Sequence, residues 1–297
     1  MQRKLLAALD AFPHLDAIVM LSMSEKLLLT EAAVQSGIRV FWIEHDRVGR
    51  WLTKNPWLPT LRKLSMTATT ICVSELSRKI YLELGWNPEK TIAIPNGIDL
   101  KSFIHKPSPR PSPSAKGEGG LHLGCVARLS QEKGVDVLIQ AVGTMPNVEL
   151  TIVGKGPEEN YLRQLIDSIH ATEMVDRERI RIVHHVSDLG EFYRSIDALV
   201  LPSKDNDPFG LVAAEAMTCG TPVIITDQCG IAGYLRDGHD AILCRADSDE
   251  ALREAIFRAS DVSLLERLSE NGMATSRRVF SRESMIVAYE NCLGERG

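Results

Sequence analysis

Apolar residues along this chain fall in short runs separated by amphipathic stretches. Before residue 106 the runs lie at about 16–21, 38–43, 69–73 and 91–94, with helical spacing over Glu25–Gln35 and Glu75–Leu84. After residue 120 they lie at about 121–126, 148–153, 180–184, 197–201, 222–225 and 241–243, with helical segments near 134–142, 158–169, 188–195, 211–218 and 248–259. Short β-rich runs alternating with helices indicate parallel sheets covered on both faces. The predicted class is α/β, with two doubly wound domains. Between them lies KPSPRPSPSAKGEGG, Lys106–Gly120. Proline removes backbone donors and glycine weakens regular structure, so this stretch reads as a linker or long loop.

The two regions are unequal. Residues 121–277 hold six predicted strands, enough for a complete domain, whereas residues 1–110 hold four and open on a helical stretch, Gln2–Asp10. The last amphipathic segment, Arg278–Leu293, carries Phe280, Met285, Tyr289 and Leu293 along one side. It is expected to form a helix that packs on the second domain or crosses back to the first.

Charge changes this picture only slightly. The net charge of −5 argues against a dedicated nucleic-acid binder. Residues 1–110 carry 15 Lys and Arg against 10 Asp and Glu, so the excess of acid lies in the remainder. The basic residues include Arg47, Arg50, Lys54, Arg62 and Lys63, set among Trp51 and Trp57 in RVGRWLTKNPWLPTLRKL. Two readings apply to residues 47–63: contact with an anionic membrane interface, or a partly buried surface segment. Six dispersed cysteines without metal-ligand spacing favour a reducing compartment. No apolar run reaches the about 18 residues of a spanning helix. The expected location is the cytoplasm, with peripheral attachment at the inner face of the membrane left open.

The segment with the most chemistry is PSKDNDPFGLVAAEAMTCG, Pro202–Gly220. Asp207 precedes a glycine turn, and Glu215 follows on a short helix. Free N–H groups and the positive end of the helix dipole at such a junction suit a phosphate. The two carboxylates can accept hydrogen bonds from hydroxyls on either side of it, so a diphosphate flanked by two sugars fits. Arg128 and Lys133 follow the strand Leu121–Val126, where open α/β sheets bind ligands. Two cations there can neutralise a diphosphate and the charge that develops on it as a leaving group.

Other features carry less. In IVGKGPE, Ile152–Glu158, Gly154 marks either a structural turn or one close to a nucleotide. Asp205-Asn206-Asp207 has the form of a metal-binding acid triplet, but cations are already on hand for phosphate, so no metal is expected. In VFWIEHD, Val40–Asp46, His45 lies immediately past a strand, and the Glu44/His45/Asp46 cluster is only a weak metal candidate without a second nearby histidine.

Together these residues resemble the retaining glycosyltransferases of family 4, which have the GT-B fold. The resemblance rests on VARLSQEKGVDVLIQA, LTIVGKGPE, DALVLPS and DPFGLVAAEAMTCGTPVI in order, with VSELSRKIY and IPNGIDLKSF before them. It implies two Rossmann-like domains with parallel sheets facing a cleft. It also implies a nucleotide-sugar donor with UDP, GDP, ADP or TDP unresolved, a glycan or lipid-linked acceptor, and no bound metal. Arg128 and Lys133 would hold the donor diphosphate, and Glu215 would accept from the ribose. Asp207, where the family usually has glutamate, would contact the donor sugar with backbone N–H groups of Phe209, Gly210 and Leu211. His45 matches the first-domain histidine directed at the donor sugar, and Gly154 the turn near the nucleotide. Transfer would retain configuration by a front-face step.

The chain departs from the pattern at HHVSD, His184–Asp188, where the family commonly has a glycine near the base. It also begins where the family has completed its first strand and glycine-rich loop, so a shortened first domain is expected. The leading reading is a transferase in cell-surface polysaccharide or glycolipid synthesis. The alternatives are a nucleotide-sugar-binding partner subunit and, further off, a sugar-nucleotide epimerase. A homodimer, or a partner over the edge of the first sheet, is left open.

Overall fold

The computed structural model describes residues 14–103, 120–172 and 179–294. The helical stretch read over Gln2–Asp10 and all of the proline-rich segment except Gly120 lie outside the described residues. The chain divides into two compact units, Met1–Asn96 with Ile286–Gly297, and Gly97–Met285.

In the first unit β1 (Ala17–Met20), α1 (Met23–Gln35), β2 (Arg39–Glu44), α2 (Arg50–Thr53), α3 (Leu58–Ser65), β3 (Thr69–Cys72), α4 (Glu75–Glu83) and β4 (Thr91–Ala93) follow in order. The strands form one parallel sheet in the order β1-β2-β3-β4. Helix α1 starts where it does because Ser22 and Glu25 form a reciprocal capping box, which also holds the Glu25 carboxyl below its ordinary range. Its inner face packs Leu29 and Ala33 on Met20, Val40, Trp42 and Cys72 of the sheet. The one polar atom of Trp42 is satisfied there by Thr30 Oγ1 at 3.1 Å.

The second unit contains β5 (Leu121–Val126), α5 (Val135–Gly143), β6 (Val148–Val153), α6 (Glu159–Thr172), β7 (Ile180–Val183), α7 (Leu189–Ser195), β8 (Ala198–Leu201), α8 (Leu211–Thr218), β9 (Val223–Thr226) and β10 (Ile242–Cys244). Helices α9 (Asp249–Arg258) and α10 (Val262–Val279) follow, and α11 (Arg282–Gly294) passes from this unit into the first. The sheet is parallel with order β10-β9-β8-β5-β6-β7. Strand β8 is buried at every position, as a central parallel strand must be. The α/β class with two Rossmann-like sheets agrees with the sequence reading, and among the described residues the first sheet has four strands to the second's six.

The segment read as one helix over Arg278–Leu293 is interrupted. Helix α10 runs to Val279, Ser281 then pairs with Ile98, and α11 begins at Arg282. Ile98 N donates to Phe280 O at 2.8 Å and Arg282 N to Ile98 O at 2.9 Å, which replaces helical bonds with strand-like ones. The gain is burial of the Phe280 ring, which meets Phe209 and Tyr234 edge-on. Gly97 permits the approach, since a Cβ there would lie 2.7 Å from Ser281 O. That accounts for the glycine in IPNGIDLKSF.

Candidate functional site

In the second sheet the strand order reverses between β5 and β8. The loops leaving adjacent strands at that point diverge to opposite faces and leave a crevice at the C-terminal edge, where open α/β folds bind ligands. The β5 loop carries Arg128 and Lys133. The β8 loop carries Ser203–Gly210. Topology therefore brings together two segments some 70 residues apart in sequence.

The two loops touch through backbone. Gly134 has φ 65°, and a Cβ on it would lie 2.0 Å from Pro202 O. Lys204 N donates to Glu132 O at 2.8 Å, and the Lys204 ammonium reaches Asp136 at 2.6 Å. This packing sets Lys133 Nζ 2.6 Å from Asp207 Oδ2, with Ser203 Oγ donating to the same oxygen at 3.0 Å. Asp207 is fixed by its backbone as well: its N donates to Gln228 O, and its O accepts from Gly230 N, both at 2.9 Å. The carboxylate is 9% exposed and the lysine 26%, so the ammonium is the partner that faces outward.

Gly210 caps α8 with φ 95°, a conformation in which a Cβ would lie 2.5 Å from Cys229 Sγ. Gly210 offers no side-chain cap; Ala213 N donates back to Gly210 O at 3.0 Å, and the N–H groups of Leu211 and Val212 come before that first bond. The Phe209 ring points into the core, leaving its backbone as the part that can meet a ligand. One turn into α8, half-buried Glu215 accepts from Tyr193 OH at 2.7 Å. Desolvation raises its pKa above the ordinary carboxylate value, and the tyrosine bond opposes that rise. This arrangement sets the start of α8 beside one cation, with a carboxylate on either side.

The neighbouring glycines support the β5 loop. A Cβ at Gly154 would lie 1.9 Å from Ala127 O, and one at Gly156 2.1 Å from Leu129 O. Leu129 N donates to Lys155 O, and Glu158 N to Leu129 O. The loop after β6 thus buttresses the one bearing Arg128, whose side chain is exposed. In HHVSD, His184 meets Glu159 Oε1 at 2.6 Å, which ties the β7 end to the start of α6. Tyr193 and Ser203 were not singled out in the sequence. Tyr193 lies 22 residues from its partner, and Ser203 meets Asp207 four residues on through the shape of their loop.

In the first unit His45 follows the end of β2 with a half-exposed ring, 3.9 Å from Asp46 Oδ1. Glu44 turns the other way, into a buried pair with Lys26 Nζ at 2.8 Å and a bond from Tyr81 OH at 2.9 Å. The Glu44 carboxylate is thus committed to Lys26 and Tyr81, which removes it from a ligand set with His45 and Asp46. Among the described residues no group of three His, Cys, Asp or Glu could hold a metal ion.

Residues 111–275 match the family described as glycosyl transferases group 1. The lipopolysaccharide core biosynthesis glycosyltransferase LpsE of Rhizobium meliloti is 32% identical over 172 residues, covering 58% of this chain and 49% of that protein. The phosphatidyl-myo-inositol mannosyltransferase of Mycobacterium leprae is 35% identical over 218 residues, covering 70% of this chain and 54% of that protein. The chain spans about half the length of the curated relatives it matches. Among solved structures, Anabaena Alr3699/HepE in complex with UDP superposes with a TM-score of 0.83 at 21% identity, over 97% of this chain and 81% of that one. At that identity the likeness speaks for the fold. The family match covers more than half of the chain, and the protein belongs to the glycosyl transferases group 1 family, with the parallel-sheet units of the GT-B class.

Proposed function

We propose that the protein is a retaining glycosyltransferase that moves a sugar from a nucleotide-sugar to a glycan or lipid-linked acceptor in surface polysaccharide or glycolipid synthesis. The observation that carries this reading is the crevice between β5 and β8, where Lys133, Asp207, the uncapped start of α8 and Glu215 stand together. Lys133 and Arg128 hold the diphosphate and steady its charge as it departs. The N–H groups of Phe209, Gly210 and Leu211 add to this, and Gly154 lets the adjoining loop close behind the nucleotide. Asp207 accepts from the donor sugar and Glu215 from the ribose. In the first unit we assign His45 to the donor sugar, since its half-exposed ring at a strand end is open to a ligand. The leaving phosphate takes the acceptor proton in a front-face step, so no protein nucleophile is assigned. UDP is the first nucleotide to test, because HepE was crystallised with UDP and with UDP-glucose.

The Arg47–Lys63 surface is assigned to the membrane interface on which a lipid-linked acceptor lies. Trp51 and Trp57 are 46% and 56% exposed, and Arg47–Ala68 contains no acidic residue. Among the described residues no helix is long and apolar enough to cross a membrane.

The test is binding and hydrolysis of UDP-, GDP-, ADP- and TDP-sugars by the purified protein, with Lys133→Ala and Glu215→Ala beside it. Selective turnover lost in both variants supports the reading. Absence of binding to every donor overturns it. Co-sedimentation with phosphatidylserine vesicles, lost in Trp51→Ala/Trp57→Ala, tests the surface assignment.

A further inference from the structure

Behind Lys133 the ends of three neighbouring strands, β9, β8 and β5, are joined by one chain of hydrogen bonds. Thr226, the last residue of β9, is 1% exposed, and its Oγ1 donates to Ser203 O at 2.6 Å. Ser203 lies two residues past β8, is 2% exposed, and donates its own hydroxyl to Asp207 Oδ2 at 3.0 Å. Lys133 Nζ, from the β5 loop, reaches that same oxygen at 2.6 Å. The residues after β9 also hold the far end of the β8 loop, where Ile231 N donates to Phe209 O at 2.7 Å. Ser203 is therefore fixed by its carbonyl and Asp207 by its main chain, so neither depends on Lys133 for its place.

The Ser203 hydroxyl is not used as a local structural bond. Ser65 and Ser195 each donate to a carbonyl three residues back, within their own helix. Ser203 instead commits its one O–H to a carboxylate oxygen that already accepts from an ammonium. A carboxylate turns readily about its last bond, so a buried donor on one oxygen decides which oxygen the lysine meets. A lysine ammonium rides on a flexible four-carbon stem. Held on Asp207, it has little rotamer freedom left for a diphosphate to remove. We propose that Ser203, itself held by Thr226, is a positioning residue: it fixes the Asp207 carboxylate that aims the Lys133 ammonium at the donor diphosphate. This rests on the transferase reading above and adds two buried hydroxyls that act only through Asp207 and Lys133.

Ser203→Ala deletes the donor to Asp207. Thr226→Val keeps the side-chain shape and deletes the hydroxyl behind it, and Thr226→Ser keeps a hydroxyl. UDP and uridine would be titrated into the full chain and each variant. The expected result is a fall in UDP affinity of about five- to tenfold in Ser203→Ala and about threefold in Thr226→Val, the range for losing one hydrogen bond, with Thr226→Ser within about twofold of wild type. Uridine affinity should not change in any of them, since uridine offers Lys133 no phosphate. In a Lys133→Met background Ser203→Ala should shift UDP affinity by less than about twofold, because the group it positions is gone. An equal loss for UDP and uridine, or an undiminished effect of Ser203→Ala without Lys133, overturns the proposal. The Lys133 ammonium is followed separately by NMR of the ¹⁵N-lysine-labelled chain, its signal assigned by loss in Lys133→Met. That signal should broaden by solvent exchange in Ser203→Ala and stay sharp in Thr226→Ser; Thr226→Val carries the test if Ser203→Ala does not fold. UDP binding with an unmoved lysine signal removes the positioning role and leaves the transferase standing. The expected signal change in a protein that binds no UDP does the reverse.

Discussion

Replacing Gly134 by alanine should damage the nucleotide site far more than it damages the fold, and a matched substitution shows why. Gly134 and Gly238 lie in the same unit with nearly the same φ, 65° and 69°. Each alanine therefore pays a left-handed backbone cost of about 1–2 kcal/mol. In a unit of this size that lowers Tm by about 2–4 °C per kcal/mol. The surroundings differ. At Gly238 nothing stands closer to the new Cβ than Arg258 Nη2 at 3.6 Å, an ordinary contact. At Gly134 the Cβ falls 2.0 Å from Pro202 O, where ordinary contact begins at 3.4 Å. Relieving that overlap costs a further 1–3 kcal/mol or so, and it must part the β5 and β8 loops. The Lys133–Asp207 bond of 2.6 Å does not survive a shift of about 1 Å as a hydrogen bond. Losing Lys133 from its place costs a charge-assisted contact to phosphate of about 1.5–3 kcal/mol, or about ten- to over a hundredfold in UDP affinity. Calorimetric titration of UDP into both variants, with Tm measured alongside, is the assay. If Gly134→Ala binds UDP within about twofold of Gly238→Ala, the backbone contact does not hold the site together and the reasoning fails.

Tyr193→Phe removes the 2.7 Å bond to Glu215 and leaves a half-buried carboxylate without its donor; UDP affinity at neutral pH should fall about five- to tenfold, read by the same titration. The proton on Glu215 gives a pH dependence with a definite sign. Burial raises its folded pKa above 4.5, so the stability it contributes is complete below that ordinary value and is lost as pH rises through the raised one. UDP binding should run the other way, because ribose hydroxyls favour the carboxylate: affinity rises with pH through the raised pKa, and Glu215→Gln flattens the profile. Lys26→Met strands Glu44 in the first unit and should destabilise it by about 3–5 kcal/mol, whereas Lys26→Met/Glu44→Met should lose less than the single change. All four tryptophans lie in that unit, so the denaturant midpoint by tryptophan fluorescence reports on it alone.

Much of the second unit was legible because burial on both faces leaves a mark that local composition carries. The run Ala198–Leu201 is apolar throughout, and it is the strand beside the point of reversal. Helix α8 was legible for a similar reason, with Gly210 before it and small residues along it. What composition lacks is the identity of distant partners. Glu215 could be read as a hydroxyl acceptor from its place after the glycine turn, but nothing local marks Tyr193, 22 residues earlier, as the group that holds it. Arg179 is a sharper case. It sits 6% exposed, and its guanidinium donates to the carbonyls of Val142, Gly143, Met145 and Val148, satisfying the end of α5 and the connection into β6 from the residue before β7. Glu44 left one trace, a charge ending the apolar strand VFWIE, but Lys26 lies a helix away. The break at Phe280 was invisible because the residues on both sides of it form helices; the pairing with Ile98 that separates them is tertiary.

The glycines change meaning once the fold is known, and with them the physical basis of the site. In the sequence Gly134, Gly154 and Gly156 are turn residues. In the fold each is a place where one loop's backbone lies against another's: Gly134 on Pro202, Gly154 on Ala127 and Gly156 on Leu129. A side chain at any of the three would push apart loops leaving β5, β6 or β8. Those loops hold Lys133 and Asp207 within hydrogen-bond distance. The crevice is therefore organised by main-chain contact, and its charged side chains are free to specialise. On this reasoning donor preference should respond to Asp207→Glu, which changes reach by one methylene on an intact frame. Substitution at Gly134 should instead weaken every nucleotide-sugar alike.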